Sequence, residues 1–152
     1  MNKWIKKIVF LGLCAPMLAW AEVVVSEPWI PEAPPTAQAL GAFMLLSNTG
    51  TQPVKLLAAE VPDVNRVELH LSVNEQGMHQ MIPQPYIEVP AQGQVALKPG
   101  SYHVMLIGLK KAIRAGDVLP MTLVWDNGSK TVLDVPVMKR ADMMKKMPMM
   151  SH

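Results

Sequence analysis

The sequence predicts a single all-β domain. Three observations lead there. The 152 residues break into short apolar runs of strand length, several of those runs alternate apolar with polar residues, and Gly, Pro or Asn residues punctuate them. No window of ordinary helix length carries an apolar stripe at helical spacing. Eight or nine strands arranged in this way indicate a sandwich or barrel. A chain of this size can bury a core without covalent staples.

The elements follow in chain order. Residues 1–21 have the layout of a secretory signal peptide: Lys3, Lys6 and Lys7, an apolar run from Ile8 to Trp20, and the small-x-small site Ala19-Trp20-Ala21. The run is short for a bilayer span, so no stable membrane insertion is expected after cleavage. A lipid-modified Cys14 is the weaker option, because bulky Leu13 precedes it. Pro28, Pro31, Pro34 and Pro35 then mark an extended edge or a loop, since proline brings no N–H to the middle of a sheet. Strands are expected in AFMLLSNTG, PVKLLAAEV, RVELHLSV, QVALKPG, SYHVMLIGL, VLPMTLVW and KTVLDVPV, the last two joined by the turn Asp126-Asn127-Gly128. The domain is assigned to residues 22–137, and residues 138–152 form a charged, methionine-rich flexible tail with no aromatic or β-branched anchor.

Charge and cysteine usage narrow the function. The formal charge of +2 turns slightly negative once the leader and its three lysines leave, so no electrostatic grip on nucleic acid is expected. Cys14 is the only cysteine and departs with the leader. The exported protein therefore has no thiol or disulfide, and a soft metal ligand in an oxidising compartment would have to be a thioether. All but Met1 and Met17 of the 13 methionines remain, although methionine is also common core filler. No cysteine nucleophile, Gly-rich phosphate loop or spaced carboxylate pair suggests an enzyme. A blue-copper electron carrier would need a cysteine thiolate.

Two segments carry chemistry. In VELHLSVNEQGMHQMIP, a tight hairpin centred between Glu75 and Gln76 places His70 opposite Met81, on the face away from Val67, Leu69, Leu71 and Val73. Directly opposed side chains lie roughly 4.5–5.5 Å apart at Cβ. In SYHVMLIGL, His103 and Met105 share the side that does not carry Tyr102, Val104 and Leu106. Two imidazoles and two thioethers folded together would favour Cu(I), while zinc prefers thiolate, imidazole or carboxylate and calcium needs clustered oxygens. Taken singly, each of these residues reads more readily as a surface or satisfied histidine or a packing methionine than as a ligand. His79, on the same side of the hairpin, either assists copper uptake or is simply solvated. Met44 and Met121 read as core and Trp29 and Trp125 as packing residues, with a Trp beside the copper as the alternative.

The spacing His70-x10-Met81-x21-His103-x-Met105 and the text LKPGSYHVMLIGL resemble the periplasmic copper chaperone family PCu(A)C, and the similarity runs from about Glu22 to Val137. Ser101 stands where many members have glycine. The resemblance implies a cupredoxin-like Greek-key β-sandwich and an accessible Cu(I) site built from those four side chains. It also implies a periplasmic role in delivering copper to a recipient protein of the oxidase assembly pathway, towards the binuclear copper centre of cytochrome c oxidase. Copper sequestration for tolerance would use the same site, and a β-sandwich interaction module without metal is the alternative of another class. In the tail, Met143, Met144, Met147, Met149, Met150 and His152 are candidates for a secondary metal site, weighed equally against a solvated tail that aids solubility.

Overall fold

The computed structural model describes residues 23–146. The expected signal peptide and residues 147–152 lie outside that range. Ten strands are formed: β1 (Val23–Pro31), β2 (Ala39–Asn48), β3 (Val54–Glu60), β4 (Val64–Glu75), β5 (Met78–Pro83), β6 (Ile87–Val89), β7 (Gln94–Leu97), β8 (Tyr102–Leu109), β9 (Val118–Trp125) and β10 (Lys130–Met138). One short helix, α1 (Arg140–Lys146), follows.

The strands hydrogen-bond in the order β5-β4-β8-β2-β1-β10-β9-β3-β6, with β7 beside β2. This path folds over on itself. Leu40, Leu46, Leu69, Val104 and Leu106 from the β4-β8-β2 side share one core with Leu56, Met121, Leu123 and Val135 from the β10-β9-β3 side. Met44 and Met121 are each 1% exposed, and Trp125 is also buried, in line with their reading as core and packing residues. The indole N–H of Trp125 donates to Thr131 Oγ1. The turn between β9 and β10 is the expected one. Gly128 has φ of +83°, its N–H bonds to the Trp125 carbonyl, and the Asn127 side chain accepts from the Ser129 N–H.

The proline-bearing segment departs from expectation. β1 is an inner strand of the path, lying between β2 and β10. Its first half pairs antiparallel with β2, and its end pairs parallel with β10 at Ile30 and Pro31. The register shifts between Ser26 and Trp29, where Glu27 has positive φ. Pro28 sits in that irregularity, so its missing N–H breaks no ladder bond.

The outer face of the β4-β8-β2 side is covered in part. Trp29, Phe43 and Met143 form a second buried cluster there, with Met138 packed against it. Met143 belongs to α1 and is 4% exposed. The segment judged to lack an anchor thus has one, a thioether seated on two aromatic rings.

Candidate metal centre

Four strands and their registers assemble the site. β8 runs antiparallel to β4, with His103 directly opposite His70 and Met105 opposite Glu68. On its other side β8 meets β2, where Met105 lies opposite Gly41. The two imidazole rings stand edge to face, with centroids 5.8 Å apart. His103 is 3% exposed, Met105 8% and His70 9%, yet none of them belongs to the main core. Alternation explains this: Leu69, Val104 and Leu106 take the inward positions, and the intervening residues point to the opposite face.

The β4–β5 hairpin turns two residues differently from expectation. It closes on Gln76-Gly77, both at positive φ, so that His70 faces Pro83 and Met81 faces Ser72. Positive φ at both central residues matches the right-handed twist of the strands, which selects this loop over one centred between Glu75 and Gln76. Because the displacement is even, Met81 keeps the same face as His70 and becomes its diagonal rather than direct neighbour.

Met81, His103 and Met105 line one cavity of about 430 Å³, with Gly41, Phe43 and Arg140 also in its wall. His70, on β4 opposite His103, is not among the residues of the cavity wall. Met81 is 57% exposed and every residue of β5 is exposed, so the cavity opens towards that edge strand.

Hydrogen bonds set the state of each ring. His103 Nδ1 lies 3.1 Å from the Ser101 carbonyl, which can only accept, so Nδ1 carries the proton. His70 Nε2 lies 2.7 Å from Glu68 Oε2, and the other carboxylate oxygen accepts from Arg66 Nε at 2.9 Å. What remains are His70 Nδ1 and His103 Nε2, both buried and without a partner. A buried nitrogen lone pair without a donor is costly unless something fills it. Burial holds the His103 imidazole below its ordinary value near 6.5; the Ser101 hydrogen bond opposes this, and the neighbouring His70 adds to it. Glu68 is held below the usual carboxylate range, first by its hydrogen bond from His70. The arrangement therefore leaves one unpartnered nitrogen on each imidazole beside two thioethers. Among the described residues no three His, Cys, Asp or Glu side chains converge as a metal group, so hard or thiolate-type sites have no counterpart there.

The family description "Putative lipoprotein LpqE-like" matches residues 23–137. The chain belongs to this LpqE-like family. A relative described as "Putative lipoprotein", from Leifsonia xyli subsp. xyli, is 32% identical over 116 residues, covering 76% of the LpqE-like chain and 69% of the relative. The solution structure of CuI-DR1885 from Deinococcus radiodurans aligns with a TM-score of 0.62 at 28% identity, covering 86% of this chain and 84% of that one. The copper-bound PCuAC domain from PmoF2 aligns with a TM-score of 0.66, covering 77% of this chain and 92% of that one. At 22% identity the latter likeness concerns the fold. The expected PCu(A)C resemblance and the all-β, cupredoxin-like fold both stand.

Several residues around the candidate site were not singled out from sequence. Glu68 orients His70, and its signal was present as Glu-x-His on one strand face. Phe43 packs against His103 at 6.2 Å between centroids, backed at 5.0 Å by Trp29, which the sequence did single out as a packing residue. Arg140 reaches the cavity only because α1 folds back, which no local pattern reveals. Of the secondary metal candidates, Met143 is buried on the aromatic pair, Met144 is 64% exposed, and Met147, Met149, Met150 and His152 lie outside the described residues.

Proposed function

We propose that this protein is a Cu(I) carrier of the cell envelope that binds one ion through His70 Nδ1, His103 Nε2, Met81 and Met105. The observation that carries the reading is the pair of buried, unpartnered imidazole nitrogens on adjacent rings beside a cavity lined by both methionines. Neutral imidazole and thioether suit a soft monovalent ion, and the bound site keeps the ion's single charge. The copper named for CuI-DR1885 and for the PmoF2 domain supports the same assignment. Binding without chemistry makes the protein a carrier rather than an enzyme.

Transfer suits the geometry better than storage. Three donors are buried while Met81 is more than half exposed on an edge strand, so an incoming ligand can displace one thioether before the rest let go. By resemblance the compartment is the periplasm, reached by cleavage after Ala21. The recipient is then a protein of the oxidase assembly pathway serving the binuclear copper centre of cytochrome c oxidase. The lipoprotein description of the family supports export to the envelope.

Anaerobic Cu(I) titration followed by native mass spectrometry tests the reading. One tightly bound ion is expected for the wild type, with severe weakening in each of His70→Ala, Met81→Ala, His103→Ala and Met105→Ala. Wild-type affinity retained in all four variants would overturn it.

A further inference from the structure

The spacing of His103 and Met105 on β8 occurs a second time, as His79-Gln80-Met81 on β5. β4 lies between the two strands. Its register puts His70 opposite His103, Ser72 opposite Met81 and Asn74 opposite His79. Alternate strand residues share a side, so His79 stands on the same face of this layer as the proposed copper ligands. The donors thus form a row across three strands, and exposure climbs along it from 3% at His103 through 9% at His70 to 57% at Met81, with His79 exposed beyond. β4 continues to Glu75, whereas β8 begins only at Tyr102, opposite Leu71. The end of the hairpin bearing His79 therefore overhangs the buried pair. The Gln76-Gly77 turn holds both of its strands in one register.

We propose that His79 and Met81 form an outer Cu(I) station, with Met81 shared between it and the inner site. This rests on the Cu(I) reading above and extends it. Adjacent strand positions on one face place the two side chains within about 7 Å at the backbone, close enough for an imidazole nitrogen and a thioether to grip one soft ion. Copper stays Cu(I) throughout. On the inward step the bond to the His79 nitrogen breaks as bonds to His70, His103 and Met105 form, Met81 remains attached, and no electron is exchanged. A recipient reverses the order, meeting the ion first where it is most exposed. Ser72 and Asn74, opposite Met81 and His79 on β4, do not compete as soft donors.

Two measurements on the full chain test this. In His79→Ala the inner site is intact, so one tightly bound Cu(I) is retained, while anaerobic stopped-flow removal of copper by a sulfonated bathocuproine chelator slows several-fold. In the His70→Ala, His103→Ala double variant, added Cu(I) should still shift the imidazole NMR signals of His79 and the Met81 methyl signal together, and adding His79→Ala should abolish the Met81 shift. Unchanged removal rates in His79→Ala overturn the outer station, as does a double variant whose His79 signals ignore copper; either result leaves the four-ligand site standing. Failure of the wild type to bind Cu(I) would instead remove the inner site, and the outer one with it.

Discussion

His70 and His103 face each other directly across β4 and β8, edge to face, with their ring centroids 5.8 Å apart. Each ring spends one nitrogen on an oxygen acceptor and leaves the other buried and unpaired. Two rings so close cannot both become cations cheaply, and burial already disfavours the charged form of His103.

A pH dependence follows for the copper-free protein. The folded-state pKa of His103 lies below its unfolded value, so the unfolded chain binds the proton more readily. The stability from this group is complete above about pH 6.5 and is lost as pH falls through the depressed value. Glu68 is shifted in the same direction and extends the loss into more acid conditions. Urea midpoints should fall on acidification from about pH 7.5 to about pH 5.5, and His103→Ala should flatten that slope. An unchanged slope in the variant would assign the effect elsewhere.

Glu68→Ala should weaken Cu(I) binding by roughly 10–100-fold, the usual cost of releasing a ligating histidine from its carboxylate partner. Because Glu68 is part-exposed, the urea midpoint should move little. Competition titration against a Cu(I) chelator reads the first effect and denaturation the second.

Gly41→Ala tests the wall of the cavity. A Cβ at this position would come within 2.8 Å of the Phe43 ring, which is 7% exposed and packs on His103. The ring has to move, at a cost of about 1–3 kcal/mol for overpacking. A lowered denaturation midpoint together with altered His103 NMR shifts is the expected result.

Met143→Ala removes the thioether that seats α1 on Trp29 and Phe43. A loss of about 1–3 kcal/mol or less is expected, limited by release of the helix rather than of the sandwich. The near-UV circular dichroism of Trp29 should weaken while the main-core signal of Trp125 persists. To probe tail methionines for copper, truncation after Lys146 is the cleaner experiment. Removing residues 139–152 would also strip Met143 from the aromatic pair and Arg140 from the cavity wall.

The strands nearest the site were legible because their alternation is strict. Val67, Leu69, Val104 and Leu106 declare one face, which leaves His70, His103 and Met105 on the other whatever the partner strands do. The hairpin register was misplaced by two residues, since backbone dihedrals at Gln76 and Gly77 chose the loop and apolar pattern is blind to them. A period of two made that error harmless for the face of Met81. The proline-rich β1 was misjudged for a related reason: a local rule against proline in inner strands cannot foresee a bulge that absorbs it.

By itself the sequence determined the residue types, their spacing and the faces they occupy, because strand geometry converts alternation into sidedness without reference to anything distant. Tertiary structure alone decided that His70 meets His103, that Glu68 and the Ser101 carbonyl take one nitrogen from each ring, and that α1 returns to cover the aromatic pair. Those are pairings across long stretches of chain, selected by the fit of the whole core, and no local pattern encodes them.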